Sequence, residues 1–384
     1  MNRIIFFTVI TVFFTLFFLL NRYVVSKGML AIDHPTYKRI FQWTYWSLTL
    51  SFLVGQILER GNPHFITEII SGIGSIWLAW LFYILMSLLV IDIFRLIDYF
   101  IPFIPQNIIP QISNIKLGFV VVFVLSLLTT IYGYFNARNP IVKPVSVTID
   151  KPLPKDLKIV VVSDLHIGAI VSNAKIERLV SEINNIQPDL VLIAGDLVDH
   201  NPRFAIKDEV GKKFLKLHPP MGIYAVTGNH EYIGDAEMSI EYLSKFGIQY
   251  LRDTSVMVQN QIIIAGREDK QMQFVTGKKR KPISEILQDS PTGLPVILMD
   301  HQPVEYDKAV ESGVDLMLSG HTHKGQMWPM NYITKAVFEN HYGLYQKGTS
   351  WFYTSNGFGT WGPPIRVGNR PEIVLIHLHS NLNP

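Results

Sequence analysis

Lys158-Ile-Val-Val-Val-Ser-Asp164-Leu-His166 and Asp189-Leu-Val-Leu-Ile-Ala-Gly195-Asp196-Leu-Val-Asp199 set the architecture of the second half of the chain. Each is a short unbroken apolar run that gives way at once to polar turn residues. A run of that kind reads as a strand buried on both faces. Between them Ile176, Leu179, Val180, Ile183 and Ile186 fall on one helical face, and Ser172 stands where a cap belongs.

The rhythm continues downstream. Gly222 to Val226 reads as a strand that ends at Gly228-Asn229-His230-Glu231, and a helix is expected from about Asp235 to Phe246. Further strands are expected near Val256, over Gln261 to Ala265, Pro295 to Met299 and Val314 to Leu318, and late at Trp351 to Thr354 and Ile373 to His379. Alternation of strands and helices followed by strand-rich sequence predicts an α/β fold of packed sheets with helices outside.

The turn residues after these runs carry the chemistry. They are Asp164 and His166, Asp196 and Asp199, Asn229 and His230, His301, and His321 and His323 in Gly320-His321-Thr322-His323. The Asp-x-His and His-x-His spacings place both side chains on one side of an extended segment. Aspartate, asparagine and histidine without thiolate suit hard or borderline divalent metals. The chain contains no cysteine, so a disulfide framework and a thiolate site are both excluded. Hydrolysing a phosphate ester at neutral pH needs an activated water and neutralised phosphoryl oxygens, which two metals can supply. One Asp-x-His alone says little; five such blocks in order, each after an apolar run, define a metal-dependent hydrolytic site.

The first part of the 384-residue chain is different in kind. Ile4 to Leu20, Ile40 to Leu58, Ile73 to Ile91 and Leu117 to Phe135 each reach the length that crosses a hydrocarbon core. No small-x-small cleavage pattern follows Leu20, so the first reads as a span and not as a signal peptide. Residues 1–139 are therefore expected to be a transmembrane domain of about four helices. Pro140, Pro144, Pro152 and Pro154 make residues 140–157 a helix-hostile linker. Residues 158–380 then form the catalytic domain. Asp92, Arg95 and Asp98 share a face at the end of the third span and are read as pairing at headgroup depth. An even number of spans puts the amino terminus and the catalytic domain on one side. The flanking cations (Arg3, Arg60, Arg138 and Lys143 against Arg22, Lys27, Lys38, Arg39, Arg95 and Lys116) lean only slightly toward an external catalytic domain, so the side stays open.

The motif series D-x-H, GD-x-x-D, GNH-E, H and GH-x-H resembles the calcineurin-like metallophosphoesterase superfamily over roughly Lys158 to Leu378. Gly320-His-Thr-His-Lys-Gly-Gln326, Pro364-Ile-Arg366 and Arg370-Pro-Glu-Ile373 are similar to a bacterial branch of membrane-associated phosphodiesterases, which includes UDP-2,3-diacylglucosamine hydrolases of lipid A synthesis. The resemblance implies an αββα sandwich with two divalent ions, manganese, iron or zinc. It implies one ion on Asp164, His166, Asp196 and His323 and a second on Asp196, Asn229, His301 and His321, with Asp196 shared. It implies a catalytic role for His230 at the phosphoryl group or the leaving oxygen. Asp199 is read as a supporting group. Lys324 departs from the pattern, since that branch usually has glycine there.

The expected function is a membrane-anchored, multi-pass phosphoesterase acting on a phosphodiester or pyrophosphate of a lipid-linked or amphipathic substrate. The bilayer is its expected partner, and the resemblance points to the bacterial cytoplasmic membrane. A phosphomonoesterase and a non-catalytic membrane sensor are the alternatives. A formal net charge of +3 gives no reason to expect nucleic acid, and the oligomeric state is open. Four further groups receive bland readings: Lys278-Lys279-Arg280-Lys281 as a solvated mobile loop, Arg366 and Arg370 as braces, and His377 with His379 as a strand face.

Overall fold

The computed structural model describes residues 3–105, 114–171 and 173–382, with side chains from Phe7 onward. The chain divides into two compact units, residues 1–56 with 69–132, and residues 57–68 with 133–384.

Among the described residues, four helices carry the first unit: α1 (Arg3–Ala31), α2 (Pro35–Leu58), α3 (Phe65–Phe100) and α4 (Ile115–Asn136). All four expected apolar stretches fall inside them. Among the described residues, three stretches are long and apolar enough to cross a membrane, Phe7–Ala31, Phe65–Phe100 and Ile115–Asn136. Helix α2 is not among them, because Tyr45, Thr49 and other polar side chains dilute it. Tyr45 and Thr49 are satisfied within the unit. Tyr45 Oη and Thr49 Oγ1 both donate to Asn21 Oδ1 at 2.8 and 3.3 Å, and Trp77 Nε1 donates to Thr49 Oγ1 at 3.1 Å. Hydrogen bonds of this kind join helices where water is absent. At one end of the unit Asp33 pairs with Lys116 at 2.5 Å; elsewhere Gly55 lies against Ser71 so closely that a Cβ would meet the Ser71 backbone at 2.9 Å. Asp92 pairs with Lys27 at 2.6 Å and with Arg95 at 3.4 Å, while Asp98 accepts from the backbone of Phe103 and Ile104.

The second unit is two six-stranded sheets face to face. One has the order β1 (Ile141–Ile149), β12 (Glu372–Ser380), β2 (Leu157–Val162), β3 (Leu190–Ala194), β4 (Ile223–Val226), β5 (Ile248–Tyr250). The other runs β10 (Gly343–Lys347), β11 (Ser350–Thr354), β9 (Leu316–Ser319), β8 (Val296–Met299), β7 (Ile262–Gly266), β6 (Thr254–Val258). Side chains alternate across each strand. Ile159 and Val161 of β2 therefore enter the layer between the sheets with Leu192, Ile264, Met299 and Leu318. Val160 and Val162 face outward and pack on Ile176, Leu179 and Val180 of α5 (Asn173–Ile186). The second sheet has its own outer layer around Leu298, Met317 and Phe352. Ser172, the expected cap of α5, lies outside the described residues.

One expectation is corrected. The proline-rich stretch taken as a linker contains β1, a full edge strand paired in parallel with β12 from Ile141 to Ile149. Val147 and Ile149 are buried in the core between the sheets. Pro144 is compatible with this because an edge strand pairs on one side only. The strands β5 and β10 were also not anticipated.

Candidate metal centre

The expected ligand residues all leave the carboxyl ends of five strands: β2 for Asp164 and His166, β3 for Asp196, β4 for Asn229, β8 for His301 and β9 for His321 and His323. β2, β3 and β4 are neighbours in one sheet, and β8 and β9 in the other. Packing the sheets face to face brings the two sets of loops together. Ligand sites in parallel sheets form at such strand ends.

The backbone there is unusual. Asp164, His166, Asp196, His321 and His323 all have positive φ, between 48° and 71°. Non-glycine residues adopt this conformation at a cost of about 1 kcal/mol or more each and hold it only when their surroundings compel it. Two glycines make the approach possible. A Cβ on Gly228 would clash with the Asp196 carboxylate, and one on Gly320 would clash with that of Asp164.

The donor atoms form two linked arcs. In one, His166 Nε2 lies 3.0 Å from His323 Nε2, which lies 3.3 Å from Asp164 Oδ1. In the other, Asp196 Oδ2 is 3.1 Å from His301 Nε2, Asn229 Oδ1 is 3.2 Å from that nitrogen, and His321 Nδ1 is 2.9 Å from Asn229 Oδ1. Asp196 Oδ2 also stands 3.8 Å from His166 Nε2, so it borders both arcs. Asp164, Asp196, His166, His301 and His323 are all buried. Adjacent donors on one octahedral ion at about 2.1 Å are about 3 Å apart. Two imidazole nitrogens facing each other at that distance, next to carboxylates, are what a shared cation would organise. The arrangement fits divalent metal.

Protonation follows the same logic. Burial first, and then the cationic neighbour His301, hold His321 down to about 3. Burial and the charges of His166 and Arg366 hold His323 well below the ordinary histidine value. Both imidazoles therefore keep free lone pairs at neutral pH. His301 donates from Nδ1 to the Ala194 carbonyl at 2.8 Å, which leaves Nε2 facing Asp196. A fixed partner on the far nitrogen is the usual support of a metal-binding histidine.

His230 sits beside the arcs, its backbone N–H donating to Asp196 Oδ1 at 2.9 Å. Its Nδ1 donates to Asp199 Oδ1 at 2.7 Å, and Asp199 also takes His200 Nδ1 at 2.8 Å. Burial disfavours the charged ring, but the Asp199 hydrogen bond and the charges of Asp196, Asp199 and Glu231 outweigh it and raise its pKa to about 9. His200 carried no assignment in the sequence reading.

Glu231 is the second group missed. Fully buried, it accepts from the backbone N–H of Gly228 at 2.7 Å, Val198 at 2.9 Å and Asp196 at 3.2 Å, tying the β3 and β4 turns together. It stands three residues after Gly228 and bonds back to that N–H as the glutamate of a capping box does, but glycine at the cap position removes the side chain by which sequence would mark one. Burial and the Asp196 charge push it up to about 7.

Arg366 braces the site. It is wholly buried and donates to the Gly357 and Gly359 carbonyls and to Asn369. Lys324 takes the glycine-like conformation (φ 49°) that its departure from the pattern put in question, and its ammonium lies 4.1 Å from the centre of the Tyr342 ring. Arg280 corrects another expectation. It is nearly buried and pairs with Asp300 at 3.0 Å and Glu305 at 2.8 Å, alongside Arg267, so that basic stretch is not simply a solvated loop. Residues of β12 follow the reading given: His379 pairs with Asp156 at 2.7 Å on the sheet's surface.

Fold and site together define a metal-dependent phosphoester hydrolase built as an α/β sandwich. Comparison with known proteins gives the family: the model for calcineurin-like phosphoesterases matches residues 157–325, and the chain belongs to that family. An uncharacterized metallophosphoesterase of Aquifex aeolicus is 32% identical over 60% of this chain and 89% of its own length. An uncharacterized metallophosphoesterase of Campylobacter jejuni is 34% identical over 67% of this chain and 70% of its own. A zebrafish (Danio rerio) protein described as a transmembrane protein with metallophosphoesterase domain is 31% identical over 67% of this chain, which spans 62% of that relative.

Proposed function

We propose that the protein is a multi-pass membrane phosphodiesterase or pyrophosphatase acting on an amphipathic, lipid-linked substrate. The observation that carries this is the cleft over the donor arcs. It has a volume of about 480 Å³, and beside His230 and His323 it is walled by Met327, Met330, Ile333, Phe338, Trp361 and Pro363. Ile333 and Trp361 are each 55% exposed at its rim. Exposed apolar side chains around a polar reaction centre suit a ligand that brings its own apolar body. A UDP-2,3-diacylglucosamine-like molecule, with acyl chains and a pyrophosphate, is one instance of the class.

In this reading Asp164, His166, Asp196 and His323 hold one ion and Asp196, Asn229, His301 and His321 the other. When bound, the pair supplies an activated water and neutralises phosphoryl charge. His230, oriented through Nδ1 by Asp199, presents Nε2 to the cleft and gives its proton to the leaving oxygen. Glu231 keeps the Asp196 and Asn229 turns in register. The apolar wall fixes the substrate and excludes water from the leaving-group side. A membrane location rests on the three apolar helices and on α2, whose Tyr45 and Thr49 are engaged by Asn21 and Trp77.

The test uses the purified full-length protein with bis-p-nitrophenyl phosphate and added manganese, iron or zinc. Wild type is expected to turn over, to bind up to two ions per chain, and to be inhibited more strongly by longer-chain phospholipids. Asp196→Ala is expected to lose at least 100-fold in kcat/KM together with bound metal. Equal inactivity of both proteins with every metal overturns the catalytic reading; indifference to chain length overturns the lipid one.

A further inference from the structure

A second cavity opens beside the first. It has a volume of about 360 Å³, and His200 and Ile233 line both it and the catalytic cleft. Its other walls include Arg60, Asn201, Arg203 and Asp235. Arg60 comes from the turn joining α2 and α3, a segment that groups with the catalytic unit. That turn is clasped in place. Asn201 Nδ2 donates to the Glu59 carbonyl at 2.8 Å and the Gly61 carbonyl at 2.7 Å, Arg203 reaches Asn62 Oδ1 at 3.3 Å, and Lys207 pairs with Glu68 at 2.5 Å.

Charge in this cavity is unevenly spent. Asp235, its acidic wall residue, is engaged in capping the following helix, accepting from Met238 N at 3.0 Å. Arg203 donates from its guanidinium to the neutral amide oxygen of Asn62. The cavity therefore presents two guanidinium groups, and beside them the His200 ring that Asp199 holds through Nδ1, against a wall carboxylate already engaged. Guanidinium forks match phosphate and carboxylate oxygens. The apolar wall of the catalytic cleft is made by other residues, Trp361 and Met330 among them, so the two cavities meet at His200 and Ile233 and differ in character.

We propose that Arg60 and Arg203, with His200, form a subsite for a second anionic group of the substrate, such as a headgroup phosphate remote from the bond being cleaved. The substrate class narrows accordingly, to amphipathic phosphoesters bearing a further negative charge. Building it from the α2–α3 turn means that the helical segment supplies a specificity residue as well as an anchor. This rests on the amphipathic-substrate reading given above.

The test exploits the absence of cysteine. In the full-length protein, dioctanoyl phosphatidylinositol and dioctanoyl phosphatidylinositol 4-phosphate are compared as competitors of bis-p-nitrophenyl phosphate hydrolysis. They share acyl chains and phosphodiester and differ by one phosphate. Wild type is expected to favour the 4-phosphate by at least tenfold, and Arg60→Cys to lose most of that preference. Modifying the new thiol with a methanethiosulfonate carrying an ethylammonium group is expected to recover the preference, and one carrying an ethylsulfonate is not. A wild type that does not distinguish the two lipids overturns the subsite, as does equal recovery with either reagent. Failure of either lipid to compete at all defeats instead the amphipathic-substrate reading beneath it.

Discussion

Asp199 holds the ring of His230 on one side and that of His200 on the other, and it is the group on which the orientation of the proton donor depends. Asp199→Asn keeps the shape but weakens the hold on both imidazoles. A partner of this kind is worth about 10- to 100-fold. The expected outcome is a fall of that size in kcat with KM and bound metal little changed; loss of metal in parallel would make Asp199 a ligand instead. Away from the centre, Glu305 offers a cleaner titration. Burial favours its neutral form, but hydrogen bonds from Lys308 and Arg267 and the charges of Arg267 and Arg280 prevail and hold its carboxyl well below the usual range. A depressed carboxylate contributes stability at pH values above its unfolded pKa of about 4.3, and that contribution disappears as the pH falls toward its folded value. Glu305→Gln leaves two arginines short of a partner, at a cost of about 2 kcal/mol at pH 7 once the partial exposure of the glutamate is allowed for. The difference from wild type, read by denaturant unfolding, is expected to be full at neutral pH, to begin shrinking below about pH 4.3, and to persist in part at about pH 3, because the folded carboxyl is still ionised there.

The strand β1 shows how an element escapes detection. Ile141-Val-Lys-Pro-Val-Ser-Val-Thr-Ile149 does alternate, with Val145, Val147 and Ile149 buried, but its prolines argue for a connector and the pairing that makes it a strand lies far away in β12. Trp351 Nε1 further ties it to the opposite sheet by donating to the Thr148 carbonyl at 2.9 Å. Val147→Ala is therefore expected to cost about 2 kcal/mol, as in a core and not in a linker. Trp351 fluorescence during unfolding measures it, and a change within 0.5 kcal/mol would return the segment to connector status. By contrast β2, β3, β4, β8 and β9 were legible because each buries both faces and its apolar run needs no partner to be recognised. The candidate ligands were legible for a related reason: they follow those runs at once, so finding the strand end finds the residue. What local sequence did not reveal were groups whose role is to hold others, such as Glu231 and His200, since their partners come from separate turns.

At the scale of the whole chain, α2 sits among three helices that are long and apolar enough to cross a membrane, and its own ends tell where it runs. Asp33, just before α2, pairs with Lys116 at the start of α4, while Gly55 near the other end of α2 packs on Ser71 early in α3. Helix α2 therefore runs between the level at which α4 begins and the level at which α3 begins. Its side-chain hydrogen bonds to α1 and α3 fall between those ends, at Tyr45 and Thr49. A helix whose central polar side chains are met by neighbouring helices can sit in hydrocarbon despite modest hydropathy. Four crossings put the α1–α2 turn on one side and the α2–α3 turn, with the catalytic unit, on the other. In this cysteine-free chain His34→Cys, His64→Cys and Glu311→Cys each supply one exposed thiol. An impermeant maleimide added to sealed oriented vesicles is expected to label His64→Cys and Glu311→Cys together and to leave His34→Cys unreacted, or the reverse from the opposite face. Co-labelling of all three would mean that α2 returns to the side from which it started. Whichever face exposes Glu311→Cys also decides which substrates reach the cleft, since a nucleotide-linked lipid precursor is available to a cytoplasmic catalytic unit and not readily to an external one.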